Sequence, residues 1–359
     1  METLTLCLLL LAAVLVSSVI DQIVPKVSLP LIQIALGLGI ALLASTNITI
    51  GLDPELFLVL FIAPLLYDEA KNADKAALWI HIKPVLSLAI GLVVATTLII
   101  GFTLNLIIPS IPLFAAFALG AALGPTDAVA VTSLSKEIAI PARQKSVLKG
   151  ELLLNDASGI VSFQFAIAAG VTGSFSLLNA TEVFLLEFFG GLAAGVALGV
   201  VGNLIVRKAR SIGVENTTFH VLFEVFTPFL VYLISQAIHV SGIIAVVVAG
   251  LVNVISPRMM GPSVSRMNIV SSSVWRVLSF ALNGIVFVLL GTQLPNAMRR
   301  TWDDVSISNG RLIAYVIGLT LLLLAIRFAW VLAMDWMHAR RGERRRFTAH
   351  DAKMALVTT

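Results

Sequence analysis

Charge is scarce in this chain. Asp, Glu, Lys and Arg together supply 12% of its 359 residues, against about 25% in soluble domains. That excludes an ordinary water-facing surface. Cysteine is scarcer still: Cys7 stands alone, which excludes internal disulfides and thiolate metal sites. The five histidines, at 81, 220, 239, 338 and 350, are dispersed and lack metal-ligand spacing. Polar stretches longer than roughly 20 residues are missing too, which leaves no room for a soluble domain.

What fills the space is apolar sequence, 58% of all residues, with a mean hydropathy of +0.99. Continuous runs long enough to span a bilayer, about 17 to 25 residues each, lie roughly at 4–20, 28–45, 53–70, 84–108, 112–134, 146–170, 182–206, 218–238, 240–256, 269–294 and 311–337. The expectation is an all-α polytopic membrane protein of about eleven transmembrane helices in one membrane domain, residues 1–359. A β-barrel is rejected because the runs do not alternate. The first run opens Met1-Glu2-Thr3 without a basic leader or a small-residue cleavage site, and it reads as a retained helix.

Basic residues give the orientation, since short Lys- and Arg-rich loops stay in the cytoplasm. Threading eleven helices puts Lys26, Lys71, Lys75, Lys83, Lys136, Arg143, Lys145, Arg207, Lys208, Arg210, Arg258 and Arg266 on one side, with a basic segment at 338–350. Only Arg299, Arg300 and Arg311 oppose them, accompanied by Asp303 and Asp304. The N-terminus is therefore expected outside and the C-terminus in the cytoplasm. This bias accounts for the net charge of +4 and requires no nucleic acid partner. Gly191, Gly195 and Gly199 recur every fourth residue, a pattern that fits either helix packing within one chain or a dimer seam.

The charges that do enter the apolar runs are informative, because each carboxylate at membrane depth costs about 2.5 to 3.5 kcal/mol on insertion scales. Gly150-Glu151-Leu-Leu-Leu-Asn155-Asp156-Ala-Ser-Gly159 heads one run, and Gly124-Pro125-Thr126-Asp127 interrupts the run before it. Proline removes a helical hydrogen bond and glycine loosens the backbone, so a break is expected near 124–127. Two readings of that break stand: carbonyls unwound around an ion, or a kink whose following half-helix is capped by Asp127. Asp156 can hold an alkali cation or a proton but not both, which is the simplest basis for exchange. Glu151 lies one turn before Asn155 on the same helical face. Arg327 is a cation deep in the last apolar run and needs a carboxylate, so Glu151 and Arg327 are expected to pair. Asp68 and Glu69, at the cytoplasmic end of the third run, fit either a cytoplasmic funnel or an exposed helix end. Glu187, Glu224 and Asp335 carry no motif and read as packing or interface residues.

The motifs Gly124-Pro-Thr126-Asp127-Ala-Val-Ala-Val and Glu151-x-x-x-Asn155-Asp156-x-x-Gly-Ile-Val resemble those of the monovalent cation/proton antiporter-1 family, of the bacterial sodium/proton type. Pro64-Leu-Leu-Tyr, Asn283-Gly-Ile-Val-Phe-Val-Leu-Leu-Gly291 and Arg327 extend the resemblance along nearly the whole chain. It implies an inverted-repeat fold with crossed broken helices, a homodimer, and residence in the bacterial inner membrane. It also implies a role in pH homeostasis through exchange of Na+, with Li+ or K+ as alternatives, for H+. By the same resemblance Asp156 binds ion and proton, Thr126, Asp127 and Asn155 surround it, and Glu151 with Arg327 is structural. An Asn before the Asp implies electroneutral exchange. No cofactor is expected beyond the transported ions, and the reading is a transporter rather than an enzyme.

Two departures accompany the resemblance. Leu152 stands where the family commonly has Ser. The family's second broken helix would start within 351–359, so the expectation is a C-terminally truncated antiporter lacking that helix. Two other readings stand: a transport-inactive truncated product or a sensor or assembly subunit on the same fold, and an intramembrane aspartyl protease. The protease reading lacks the Gly-x-Gly-Asp and Pro-Ala-Leu motifs.

Overall fold

In the computed structural model the described residues are 2–24, 27–43, 53–125, 142–171, 177–213, 216–252, 262–302 and 309–340. Among them the chain is helical, without strands, in twelve helices. These are α1 (Glu2–Ile23), α2 (Leu29–Leu43), α3 (Pro54–Phe57 running on through Leu58–Ile62 and Ala63–Asn72), α4 (Lys75–Ile80), α5 (Ile82–Leu86, Ser87–Leu92 and Val93–Ile107), α6 (Leu113–Leu123), α7 (Ala142–Val171), α8 (Leu177–Ser211), α9 (Thr217–Ala237), α10 (Gly242–Val252), α11 (Pro262–Trp302) and α12 (Asn309–Arg340). Helices α3 and α5 each widen into a π-helical turn, at Leu58–Ile62 and Ser87–Leu92. Seven helices, α1, α5, α7, α8, α9, α11 and α12, contain stretches long and apolar enough to cross a membrane, and α2, α6 and α10 are shorter apolar helices.

Each apolar run read from the sequence contains a helix among the described residues, and two helices run well beyond their runs. Helix α7 begins at Ala142 and α11 covers Pro262–Trp302, well past 269–294. Hydropathy marks the part that sits in oil, whereas backbone hydrogen bonding continues into the polar interface. Helix α4 has no counterpart among the eleven runs: at 6 residues it is too short to span. A turn at His81 separates it from α5. The stretch 351–359, expected to begin a further helix, lies outside the described residues.

The chain divides into two compact units. Unit 1 comprises residues 1–72 and 186–305. Its tightest crossing joins α2 to α11, where a Cβ added at Gly37 would stand 2.1 Å from the Val288 carbonyl oxygen and one at Gly291 2.2 Å from that of Ile34. Backbones that close exclude any side chain, which explains in packing terms why the segment from Asn283 ends on Gly291. Leu10, Ala13, Val14, Val288 and Leu289 form the core beside this crossing. The buried Gln33 amide donates to Ser17 Oγ at 3.2 Å, and that hydroxyl donates to the Val14 carbonyl at 2.7 Å. The four-residue glycine ladder of α8 faces α10: a Cβ at Gly195 would lie 2.5 Å from the Ala245 carbonyl oxygen, and one at Gly191 2.8 Å from that of Ser241. Of its two readings, packing within the chain is the one observed.

Unit 2 comprises residues 73–185 and 306–359. Leu92, Ile100, Leu104, Ala116 and Ile326 form a core shared by α5, α6 and α12. Helices α6 and α7 run antiparallel, with Phe114 against Gly170 at one end and Pro125 against Gly159 at the other. Trp330 packs on Gly91, and Ser87 Oγ donates to Met334 Sδ at 3.4 Å, fastening α12 along the widened turn of α5.

Candidate functional site

Four of the candidate residues belong to unit 2: Glu151, Asn155 and Asp156 on α7, and Arg327 on α12. Proline is absent from Ala142–Val171, and Ser158 returns its hydroxyl to the Leu154 carbonyl at 2.7 Å, so the helix carries its polar residues without a break. Residues four apart share a face, which lines up Glu151, Asn155 and Gly159. Glu151 is 2% exposed, Asn155 1% and Arg327 5%. Asp156, a step round the helix, is half-buried.

The structure brings Glu151 and Arg327 together: Arg327 Nη2 lies 2.6 Å from Glu151 Oε1. Burying either charge alone is strongly unfavourable, so each makes the other tolerable at membrane depth. Ile326 joins the unit's core and Trp330 seats on Gly91, which holds α12 so that Arg327 meets α7 one turn before Asn155.

The break is positioned by the same helix. Helix α6 ends at Leu123 and the chain bends at Gly124 and Pro125. The proline ring is seated where a Cβ on Gly159 would otherwise stand, 2.3 Å from Pro125 Cγ and 3.2 Å from the Ala121 carbonyl oxygen. Gly159 follows Asp156 by one turn, so the end of α6 abuts the acid-bearing stretch of α7. On its other side Gly124 touches Val93 Cγ1 of α5, at 3.3 Å from an added Cβ. Thr126 and Asp127, the remaining two candidates of the break, lie outside the described residues. Leu152, the departure from the family pattern, is buried at 6% exposure.

Asp68 and Glu69 belong to unit 1 and do not share a unit with Asp156. Asp68 is half-buried; its two oxygens accept from Asn72 Nδ2 and Ser279 Oγ, each at 2.7 Å. Glu69 is exposed.

One polar cluster was not anticipated from the sequence. In unit 1, Lys71 Nζ stands 2.5 Å from Glu224 Oε1 and donates to Ser271 Oγ at 3.1 Å, while Ser271 Oγ donates to the other Glu224 oxygen. The ammonium also lies 5.7 Å from the Trp275 ring centroid, and that ring, 1% exposed, packs on Tyr67 at 5.8 Å. The available signal was Glu224 itself, an isolated acid in the apolar run 218–238.

Comparison with known proteins places this geometry among ion exchangers. The family model described as "Sodium/hydrogen exchanger, transmembrane" matches residues 6–355. The "Sodium, potassium, lithium and rubidium/H(+) antiporter" of Bacillus subtilis is 43% identical over 335 residues, 92% of this chain and 49% of that protein. The "Uncharacterized Na(+)/H(+) exchanger YjcE" of Escherichia coli is 36% identical over 342 residues, 93% of this chain and 62% of that protein. The chain thus spans about half the length of the Bacillus relatives it matches. Among solved structures, the sodium proton antiporter MjNhaP1 of Methanocaldococcus jannaschii shares the fold with a TM-score of 0.65 at 18% identity, covering 99% of this chain and 82% of that one.

Proposed function

The chain belongs to the transmembrane sodium/hydrogen exchanger family, and from that premise we propose that it is an integral membrane antiporter exchanging a monovalent cation, Na+ foremost, for H+ at Asp156. The observation that carries the reading is the buried Glu151–Arg327 pair set one turn before Asn155–Asp156 on a helix against which the Gly124–Pro125 bend is seated. The Asp156 carboxylate can take either a cation on its oxygens or a proton, which is the chemistry exchange requires.

Asn155 contributes an amide rather than a second carboxylate, so the site changes by a single charge, which supports electroneutral exchange. Thr126 and Asp127 complete the oxygen set in this proposal. The loop distribution of Lys and Arg supports an external N-terminus and a cytoplasmic C-terminus. A homodimer in the bacterial plasma membrane is part of the same proposal.

Dequenching of a pH dye in everted vesicles tests this when Na+, Li+ and K+ are added in turn. The parent should dequench with at least one cation, and Asp156→Asn should abolish the signal at unchanged abundance. Undiminished exchange by Asp156→Asn would remove Asp156 from the mechanism.

A further inference from the structure

Two glycines of α7 meet α6, and they differ in what a side chain there would strike. At Gly170 an added Cβ would stand 2.3 Å from Phe114 Cδ2, and at Gly159 it would stand 2.3 Å from Pro125 Cγ and 3.0 Å from Pro125 Cδ. Carbon atoms in contact sit about 3.5 to 4.0 Å apart, so either methyl would force its neighbour aside by roughly 1 Å or more. The Phe114 ring can yield by turning about its side-chain bonds. The Pro125 ring cannot, because it closes on its own backbone nitrogen and fixes φ. A methyl on Gly159 therefore moves main chain, where one on Gly170 moves a side chain.

The main chain in question is the end of α6. In a continuing helix the Ala121 carbonyl would accept from residue 125, but a proline has no N–H to give. That carbonyl accepts from Gly124 N–H instead, at a long 3.4 Å, and lies 3.2 Å from the position a Gly159 Cβ would take. Thr126 and Asp127 follow Pro125 directly in the sequence. Across the contact, Gly159 is buried and stands one turn past Asp156 on α7.

We propose that Gly159 is a positioning residue for cation binding, its missing side chain setting the distance between the bend of α6 and the Asp156 carboxylate. The proposal rests on the exchange reading and deepens it, because the two exchanged ions make different demands on that distance. A cation takes oxygens from several groups at once, at distances held to within about 0.2 Å. A proton takes a single oxygen. The seat at Gly159 therefore governs the affinity for the cation and leaves the affinity for the proton unchanged.

The Na+ dissociation constant of the purified chain, measured against pH for the parent, Gly159→Ala and Gly170→Ala, tests this. Gly159→Ala should raise the constant about tenfold or more at every pH, while the pH at which protons begin to compete stays where it is in the parent. Gly170→Ala introduces an equally close contact between the same two helices and should lower the melting temperature at an unchanged Na+ constant. Parent-like Na+ binding by Gly159→Ala would overturn the proposal. So would an equal rise in both variants, or a shift of the pH dependence with Na+ affinity intact at high pH. If Gly159→Ala does not fold, Gly159→Ala/Val93→Ala gives the bend room towards α5, where Val93 Cγ1 flanks Gly124. That variant should keep the raised constant, and a parent-like constant in it would overturn the seat. Na+ binding that survives Asp156→Asn would overturn the exchange reading and the seat together, whereas the preceding outcomes overturn the seat alone.

Discussion

Each unit of this chain closes a buried ion pair, and the two are built differently. In unit 2, Glu151 and Arg327 meet with side chains 2% and 6% exposed. In unit 1, Glu224 is 7% exposed and Lys71 18%, and the pair is surrounded by Ser271, Trp275 and Tyr67. The first pair is almost wholly buried; the second is more open and shares its charge with a hydroxyl and an aromatic face. A planar guanidinium suits the former and a flexible ammonium the latter. The difference teaches what each pair does: the deeper pair fixes α12 to α7 beside Asp156, and the more open one ties α3, α9 and α11 into a scaffold.

Breaking the pairs one partner at a time should expose the difference. Arg327→Ala leaves Glu151 uncompensated and should cost about 3 to 5 kcal/mol, read as a sharp fall in folded yield and melting temperature. Glu151→Leu together with Arg327→Met should recover most of that loss, because apolar residues of similar volume replace a buried pair well. Lys71→Met should cost less, about 1.5 to 3 kcal/mol, since Ser271 still serves Glu224 and water reaches the site. Equal losses for Arg327→Ala and Lys71→Met would erase the distinction.

The two pairs also differed in how visible they were beforehand. Arg327 stands in the middle of Leu-Leu-Leu-Leu-Ala-Ile-Arg-Phe-Ala-Trp, where a buried cation requires an acid, and Glu151 is a carboxylate inside another apolar run. Lys71 lies at a helix end among residues that ordinarily face water, and nothing in its spacing points to Glu224, far along the chain. The fold was legible for a related reason: eleven apolar runs announce eleven helices. Helix α4 was hidden because a stretch of 6 residues falls below any spanning length. The direction of the glycine ladder on α8 was equally hidden, because a repeat every four residues shows that a face is small without showing what covers it.

That ladder offers a smaller test within unit 1. Gly195→Val would press a side chain onto the Ala245 backbone, 2.5 Å from its carbonyl oxygen, and should cost about 1 to 3 kcal/mol. Gly39→Val, where nothing lies within 4 Å, should change the melting temperature little by comparison. In unit 2 the smallest effect belongs to Lys75. Burial lowers its folded pKa to about 8, below the ordinary lysine value of 10.5. The unfolded chain therefore holds more protons between those values, and stability should rise with pH across that window. Lys75→Met should lose this rise, as followed by melting temperature from pH 7 to pH 11.

The central claim is that cation and proton compete for one carboxylate, Asp156, one turn past the Glu151–Arg327 pair. The most direct measurement is the Na+ dissociation constant of the purified chain as a function of pH, with proton release recorded in the same titration. The account predicts that each pH unit below the carboxylate's pKa weakens Na+ binding about tenfold, that one proton leaves per cation bound, and that Asp156→Asn abolishes both effects. A Na+ affinity independent of pH, or proton release undiminished in Asp156→Asn, would contradict it.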